Sequence, residues 1–475
     1  MTDTADNTAS TDNTASTNSA DSTAATEHWA ARLAELSARH SVPGANLGIL
    51  HRGRLIVETA TGWANSGAGI EATTETLFQI GSISKVWTTT VAMALVDEGL
   101  LDLDAPIVSV LPELRLADES STQGVTLRHL LTHTSGIDGD VFTDTGRGDD
   151  CLEKFTALLA DVAPNHPVDA TMSYCNAGFT LLGRVLEYVT GVQWDELMRE
   201  RLFRPLGLTH TVTLPEEALR FRAALGHLGE PPAPSPQWGL MRSAGPAGLI
   251  SSIPRDVLAF ARLHLRGGTS EEGTALLSDK SVTAMQTPQV ALPDPYLLGD
   301  HWGLGWMLDT WDGHPVYGHD GGTIGQSAFL RVLPDADLAI CLLTNGGDTM
   351  GLYRELFGEI AQELAGVTMR PGIEPATDPA PADHDGYLGV YERRGVRMEV
   401  VTRDGGLALR QRNTGPLAAV LEADAETEFA MHPVEPGVFA VQRPGTTVWI
   451  STVFYALADG TPYLHFGGRA TPKVG

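Results

Sequence analysis

Phe78-Gln79-Ile80-Gly81-Ser82-Ile83-Ser84-Lys85 runs straight into Val86-Trp87-Thr88-Thr89-Thr90, and its Gly-Ser pair falls where a helix should begin. Val91, Met93, Ala94 and Val96 continue at helical spacing, and Gly99 supplies a stop. Ser82 and Lys85 are three residues apart, so a helix puts both on one face, ammonium above hydroxyl. A serine hydroxyl is a poor nucleophile until a base accepts its proton, and an amine does so when burial and nearby cations depress its pKa. The helix start also favours negative charge developing beside Ser82. Taken alone, Ser-x-x-Lys equally describes a capping serine followed by a solvated lysine. The rest of the chain has to decide between them.

The chain has 475 residues, enough for two domains. Its 32 Lys and Arg against 59 Asp and Glu give a net charge of -27, a field that repels nucleic acid and anionic membranes. Three cysteines, Cys151, Cys175 and Cys341, form neither a disulfide framework nor a metal-binding spacing. No metal or cofactor is implied. Residues 1–26 are Thr, Ser, Asn, Asp and Ala without a positive start or an apolar centre, which reads as a disordered acidic tail and not a secretory signal. No run is long enough to span a bilayer. A cytoplasmic location is expected.

A helix (Glu27 to Leu36) and a hairpin (Ala45 to His51, Leu55 to Thr61) precede the Ser82 segment. Thr126 to Gly136 reads as a short capped helix. Helical periodicity dominates from about 150 to 290, then strands return at Trp302 to Asp309, Pro315 to Tyr317, Gln326 to Pro334 and Leu338 to Leu343, closed by a helix from Tyr353 to Leu364. Strands at both ends with helices between predict one antiparallel sheet carrying an inserted helical subdomain. Residues 367–383 form a Pro-rich linker. Short alternating runs from Gly386 to Gly475 predict a small all-β domain. The expected domains are therefore a tail (1–26), a main domain (27–366), the linker (367–383) and a small β-barrel (384–475).

Two further segments carry chemistry. In Met172-Ser173-Tyr174-Cys175-Asn176, just before a helix, the phenol and the amide face one way while Cys175 faces another. A tyrosine whose pKa is lowered by a lysine would serve as acid or base. In Tyr317-Gly318-His319-Asp320-Gly321-Gly322-Thr323, the glycines at 321 and 322 let a substrate lie against backbone N–H groups, and His319 is a donor or acceptor near neutral pH. Ser243 to Ser252 reads as a tight loop. His133 reads as a structural partner in its Thr-Ser-Gly turn, and Trp302 and Trp306 as core residues on one strand face.

The order Ser-x-x-Lys, Tyr-x-Asn, His-x-Gly within this layout resembles the serine β-lactamase and penicillin-binding-protein family, among its members the class C β-lactamases, D-alanyl-D-alanine carboxypeptidases, esterases, D-aminopeptidases and peptide-cyclising relatives. Leu130 to Gly136, Trp302-Gly303-Leu304-Gly305-Trp306 and Pro334-Asp335 add to the resemblance, which runs from about residue 30 to 365. The C-terminal domain looks like the lipocalin-like appendage of some members. The resemblance implies a β-lactamase/transpeptidase-like antiparallel sheet with a helical subdomain. It makes Ser82 the nucleophile, Lys85 the proton acceptor and Tyr174 the acid/base toward the leaving group. Asn176 would orient Lys85 and the acyl amide, His319 and Gly321 would meet substrate, and the N–H groups of Ser82 and Gly322 would hold the oxyanion.

The β-lactamases place a lysine where this chain has His319. A partly charged histidine beside Asp320 weakens the case for penicillins or C-terminal carboxylates and favours a small ester, amide or peptide as substrate, possible D-residues included. The alternative is an acyl transferase or peptide macrocyclase using the same acyl-Ser82, in which case a carrier-protein-bound substrate is a candidate partner.

Overall fold

The computed structural model describes residues 12–378, 384–414, 426–443 and 446–475, with backbone alone over 12–22. The strands Gly44–His51 and Leu338–Thr344, from opposite ends of the main domain, pair antiparallel as the third and fourth strands of a nine-stranded sheet. Beyond Leu338–Thr344 the sheet continues through Ser327–Leu333, His314–Gly322 and Met307–Trp311 to two short edge strands. The register places Cys341 opposite both Gly48 and Leu330, and Leu330 opposite His319.

Both faces of this sheet are covered, which is why its inner strands read as unbroken apolar runs. Ala339, Cys341 and Leu343 point into a core shared with the Ser82 helix and the Pro254–Leu265 helix. Ile340 and Leu342 point into a second core beneath Asp12–Arg39 and Thr349–Ala365. The Asp12–Arg39 helix begins inside the stretch whose composition suggests a tail, and Ala25 packs on this second core. Residues 1–11 of that stretch lie outside the described residues.

The Ser82 helix, Ile83–Asp97, is buried nearly all round, so its position is fixed by packing on every side and not by one apolar stripe. The expected strand from Trp302 to Asp309 is instead two pieces, His301–Trp302 and Met307–Trp311. Gly305, at a φ of 80°, turns the chain between them. Trp302 and Trp306 are both fully buried.

Beyond the linker, eight strands from Gly389–Arg393 to Arg469–Pro472 follow one another up and down in chain order. A bridge between Tyr391 and Lys473 brings the last strand back to the first, so the sheet is nearly closed into a barrel. Tyr391, Met398, Leu409, Phe439 and Leu464 fill it. Two of its hairpin tips, at Arg393–Val396 and Phe466–Arg469, lie at one rim. The barrel sits on the main domain, where Tyr463 donates to the Asn165 carbonyl at 2.8 Å and Ser451 to Asp294 at 2.6 Å. Among the described residues no helix is long and apolar enough to cross a membrane.

Candidate active site

Ser82 occupies the N-cap position of its helix but makes no capping bond. Its hydroxyl is 2.9 Å from Lys85 Nζ, and Lys85 also donates to the Ala247 carbonyl at 2.6 Å. The Lys85 side chain is fully buried. Burial first, and then the charge of Arg469, hold its pKa well below the ordinary lysine value. A capping serine beside a solvated lysine is therefore not what this sequence builds. A neutral amine whose N–H is given to Ala247 keeps a lone pair for the Ser82 proton.

Gly81 has a φ of 52°, and a Cβ there would press on the Gly322 amide. A Cβ on Gly321 would collide with the Ile80 carbonyl. These glycines let the end of strand His314–Gly322 lie against the Ser82 turn, bringing the Gly322 amide next to the nucleophile.

Tyr174 lies across Lys85, with Nζ 4.9 Å from the ring centre. Burial pushes its phenol above the usual tyrosine range, against the pull of the Ser82 hydroxyl and Arg469. This reverses the expectation of a lowered pKa: the phenol stays protonated and is a donor. Its segment is held from below by His133, whose Nδ1 accepts the Cys175 amide at 3.0 Å and whose ring stacks 4.3 Å from Tyr174. Cys175 caps the Asn176–Thr190 helix, its sulfur accepting from the Gly178 amide. Asn176 lines the pocket, but Lys85 is held by Ser82 and Ala247, and no bond joins it to Asn176 among the described residues.

His319 is 2% exposed, and its Nδ1 lies 2.6 Å from the Asp320 carbonyl. That contact puts the proton on Nδ1 and leaves Nε2 a bare acceptor. Burial, and then Lys85, push its pKa down to about 3. His319 is neutral, not partly charged. Asp320 does not add negative charge as expected either, because Arg331 takes its carboxylate in two bonds of 2.6 and 3.1 Å.

These groups open into a cavity of about 430 Å³ with walls that include Val141, Phe142, Phe155, Met241 and Phe329. The wall also contains a cation from the barrel. Arg469 reaches in from the Phe466–Arg469 hairpin, its guanidinium 4.9 Å from the centre of the Tyr174 ring. The same hairpin holds Tyr174 by its backbone: the Tyr174 amide donates to the Gly468 carbonyl at 2.9 Å, and the Ala470 amide to Ser173 Oγ at 3.2 Å. Sequence reasoning missed Arg469 and the Ala247 carbonyl. Gly467-Gly468 marks a turn, but no local signal tells what the turn touches.

The sequence profile of the Beta-lactamase family matches residues 29–365. The chain belongs to the β-lactamase family. Its members are serine hydrolases, and the Ser82–Lys85 geometry is in keeping with that chemistry. Penicillin-binding protein 4 of Amycolatopsis lactamdurans is 46% identical over 373 residues, 78% of this chain and 98% of its own. The structure of SurE superposes with a TM-score of 0.75 at 30% identity, covering 95% of this chain and 99% of its own. A class C β-lactamase from Rhodobacter sphaeroides gives a TM-score of 0.58 at 24% identity over 70% of this chain and 99% of its own, a likeness of fold. Among the described residues no group of three or more His, Cys, Asp or Glu could hold a metal ion.

Proposed function

We propose that the protein cleaves a small ester, amide or peptide through an acyl-enzyme on Ser82. The observation that carries this reading is the 2.9 Å contact between Ser82 Oγ and a buried, deprotonation-prone Lys85. Lys85 accepts the hydroxyl proton as Oγ attacks the substrate carbonyl. The N–H groups of Ser82 and Gly322 stabilise the oxyanion. Tyr174 gives its proton to the leaving group and recovers one from the Lys85 ammonium. Water then attacks the ester along the reverse path.

The apolar walls suit the hydrocarbon part of an acyl group, His319 Nε2 accepts a substrate N–H, and Arg469 takes a carboxylate or carbonyl. A related structure, SurE with D-Leu, 28% identical over 95% of this chain, supports amino-acid or peptide substrates. Identity to Penicillin-binding protein 4 favours a second reading, that penicillin also acylates Ser82. The acidic balance argues against nucleic acid as partner, and the three buried, unpaired cysteines fit a cytoplasmic location. In the test, purified protein is mixed with nitrophenyl esters and, separately, a fluorescent penicillin, and its intact mass is measured. The wild type should gain one acyl group and release nitrophenol, and Ser82→Ala should do neither. Full turnover by Ser82→Ala would sink the reading.

A further inference from the structure

The segment Asp138-Gly139-Asp140 takes no part in the steps above, yet it lies where Tyr174 meets the barrel. The Asp140 side chain is 5% exposed and sits between two guanidiniums of the barrel rim. Its Oδ2 accepts from Arg393 at 2.6 Å and its Oδ1 from Arg469 at 3.1 Å. Asp138 accepts the Asp140 amide on one oxygen and the Arg394 amide on the other, each at 3.0 Å. Between them, the Gly139 carbonyl accepts the Ala177 amide at 3.2 Å. A Cβ at Gly139 would strike the Tyr174 carbonyl and Cys175 Cα, so only glycine lets this segment press on the Tyr-x-Asn turn. Val141 and Phe142, next in sequence, line the cavity, and Phe142 also packs on the barrel core.

Arg469 is the group this segment serves. It stands near the Lys85 amine in a wall that is mostly apolar, where an unpaired guanidinium is costly. One of its terminal nitrogens donates to the Gly467 carbonyl at 2.8 Å, which fixes it to its own hairpin. The other goes to Asp140, the bond that fixes it to the main domain. Asp140 and, beside it, Asp138 face Arg393 and Arg469, so the segment is close to balanced in charge, and what reaches the cavity is the guanidinium of Arg469 held at one place. We propose that Asp140 is a positioning residue for substrate selection: its Oδ1 holds Arg469 over the cavity, while its Oδ2, on Arg393, ties the segment to the docked barrel without setting where Arg469 stands. This rests on the reading that substrates acylate Ser82 beside Arg469, and it adds that the wall selects for an anionic acyl group.

The test uses the full chain and two nitrophenyl esters of like size, the 4-nitrophenyl monoester of succinate and 4-nitrophenyl butyrate. The readout is the ratio of their kcat/KM values, anionic over neutral, with Tm as the check on folding. Arg469→Gln and Asp140→Asn should each lower the ratio about tenfold, mainly through KM. The double variant should be no lower than Arg469→Gln alone, because both changes remove one effect. Arg393→Gln should lower Tm and leave the ratio within about twofold. Should Asp140→Asn fail to fold, Asp140→Glu keeps the charge and, by moving Arg469, should lower the ratio about threefold. An unchanged or raised ratio in the Asp140 variants would mean that Asp140 only neutralises charge. An unchanged ratio in Arg469→Gln, or additive losses in the double variant, would equally overturn the proposal. Failure of the acyl-Ser82 reading is distinct: Ser82→Ala would then still turn over both esters.

Discussion

Arg469 of the barrel and Lys85 of the Ser82 helix both stand 4.9 Å from the centre of the Tyr174 ring. A guanidinium at this distance interacts favourably with the ring and would repel a protonated Lys85. The arrangement has a chemical consequence. The positive charge of Arg469 disfavours a proton on Lys85, adding to burial, and both push the amine toward the form that can accept the Ser82 proton. The barrel is thus part of the electrostatics of the nucleophile as well as a wall of the cavity.

The acid limb of kcat/KM should report Lys85. Since the neutral amine is the active form, activity should rise with pH through a value below the ordinary lysine pKa. Arg469→Gln removes a charge that lowers this pKa, so the limb should move to higher pH in that variant. Lys85→Arg, whose guanidinium stays protonated, should lose at least about a thousandfold in kcat/KM at every pH. A limb that does not move in Arg469→Gln would show that the arginine does not act on Lys85.

Tyr174→Phe separates the phenol from the ring. Tyr174 Oη is buried and has no hydrogen bond of normal geometry in the resting site, whereas the ring packs tilted against His133 and edge-to-face against Trp302. Deleting a buried hydroxyl without a partner removes a desolvation cost of about 1–3 kcal/mol. The variant should therefore melt at or above the wild-type temperature while kcat falls by about 10²–10⁴. Calorimetry and ester kinetics on one preparation check both. A large drop in Tm would mean that the hydroxyl is a structural bond.

The sheet was legible because Leu338 to Leu343 is apolar at every position, the pattern of an inner strand covered on both faces. The barrel was legible from its short alternating runs. Ser82, Lys85, Tyr174, Asn176 and His319 were legible as short motifs because helix and turn geometry fixes which neighbours face the same way. What failed was whatever depends on burial or on distant contacts. The charge of His319 and the direction of the Tyr174 shift follow from desolvation, which no local pattern encodes. Lys85 finds Ala247 and not Asn176, because the stretch expected as a tight loop forms two short helical turns, Arg242–Ala244 and Gly245–Gly248, the second packed against the Ser82 helix. Arg469 reaches Tyr174 only after two domains dock.

His319 should be silent across the physiological range. With burial holding its pKa at about 3, its ring signals in NMR should not shift between about pH 5 and 8. The linkage runs one way. The unfolded chain protonates this histidine near its ordinary value of 6.5 while the folded chain keeps it neutral. Its contribution therefore destabilises the fold progressively as pH drops from 6.5 toward 3. His319→Gln, which keeps an acceptor without titrating, should retain activity within about tenfold and lose that part of the acid sensitivity. A ring that titrates near 6.5 would place a charge in the cavity and reopen the comparison with the lysine of the β-lactamases.

The fate of acyl-Ser82 distinguishes hydrolysis from transfer. The cavity wall is largely apolar and the docked barrel contributes to it through Gly467 and Arg469, so water enters a restricted space. If water is nonetheless the normal acceptor, adding about 10 mM of an amino-acid amide should divert less than about a tenth of the acyl groups to amide product. Mass spectrometry of products from a nitrophenyl ester donor measures this. A transferase would bind the amine, so amide product would saturate with amine concentration and exceed the acid well before that level. D- and L-leucinamide, run side by side, add the stereochemical arm: a bound acceptor should give unequal saturation, whereas simple competition with water should give equal and linear yields. The hydrolase reading requires the linear result, and saturation with either amide would replace it with acyl transfer.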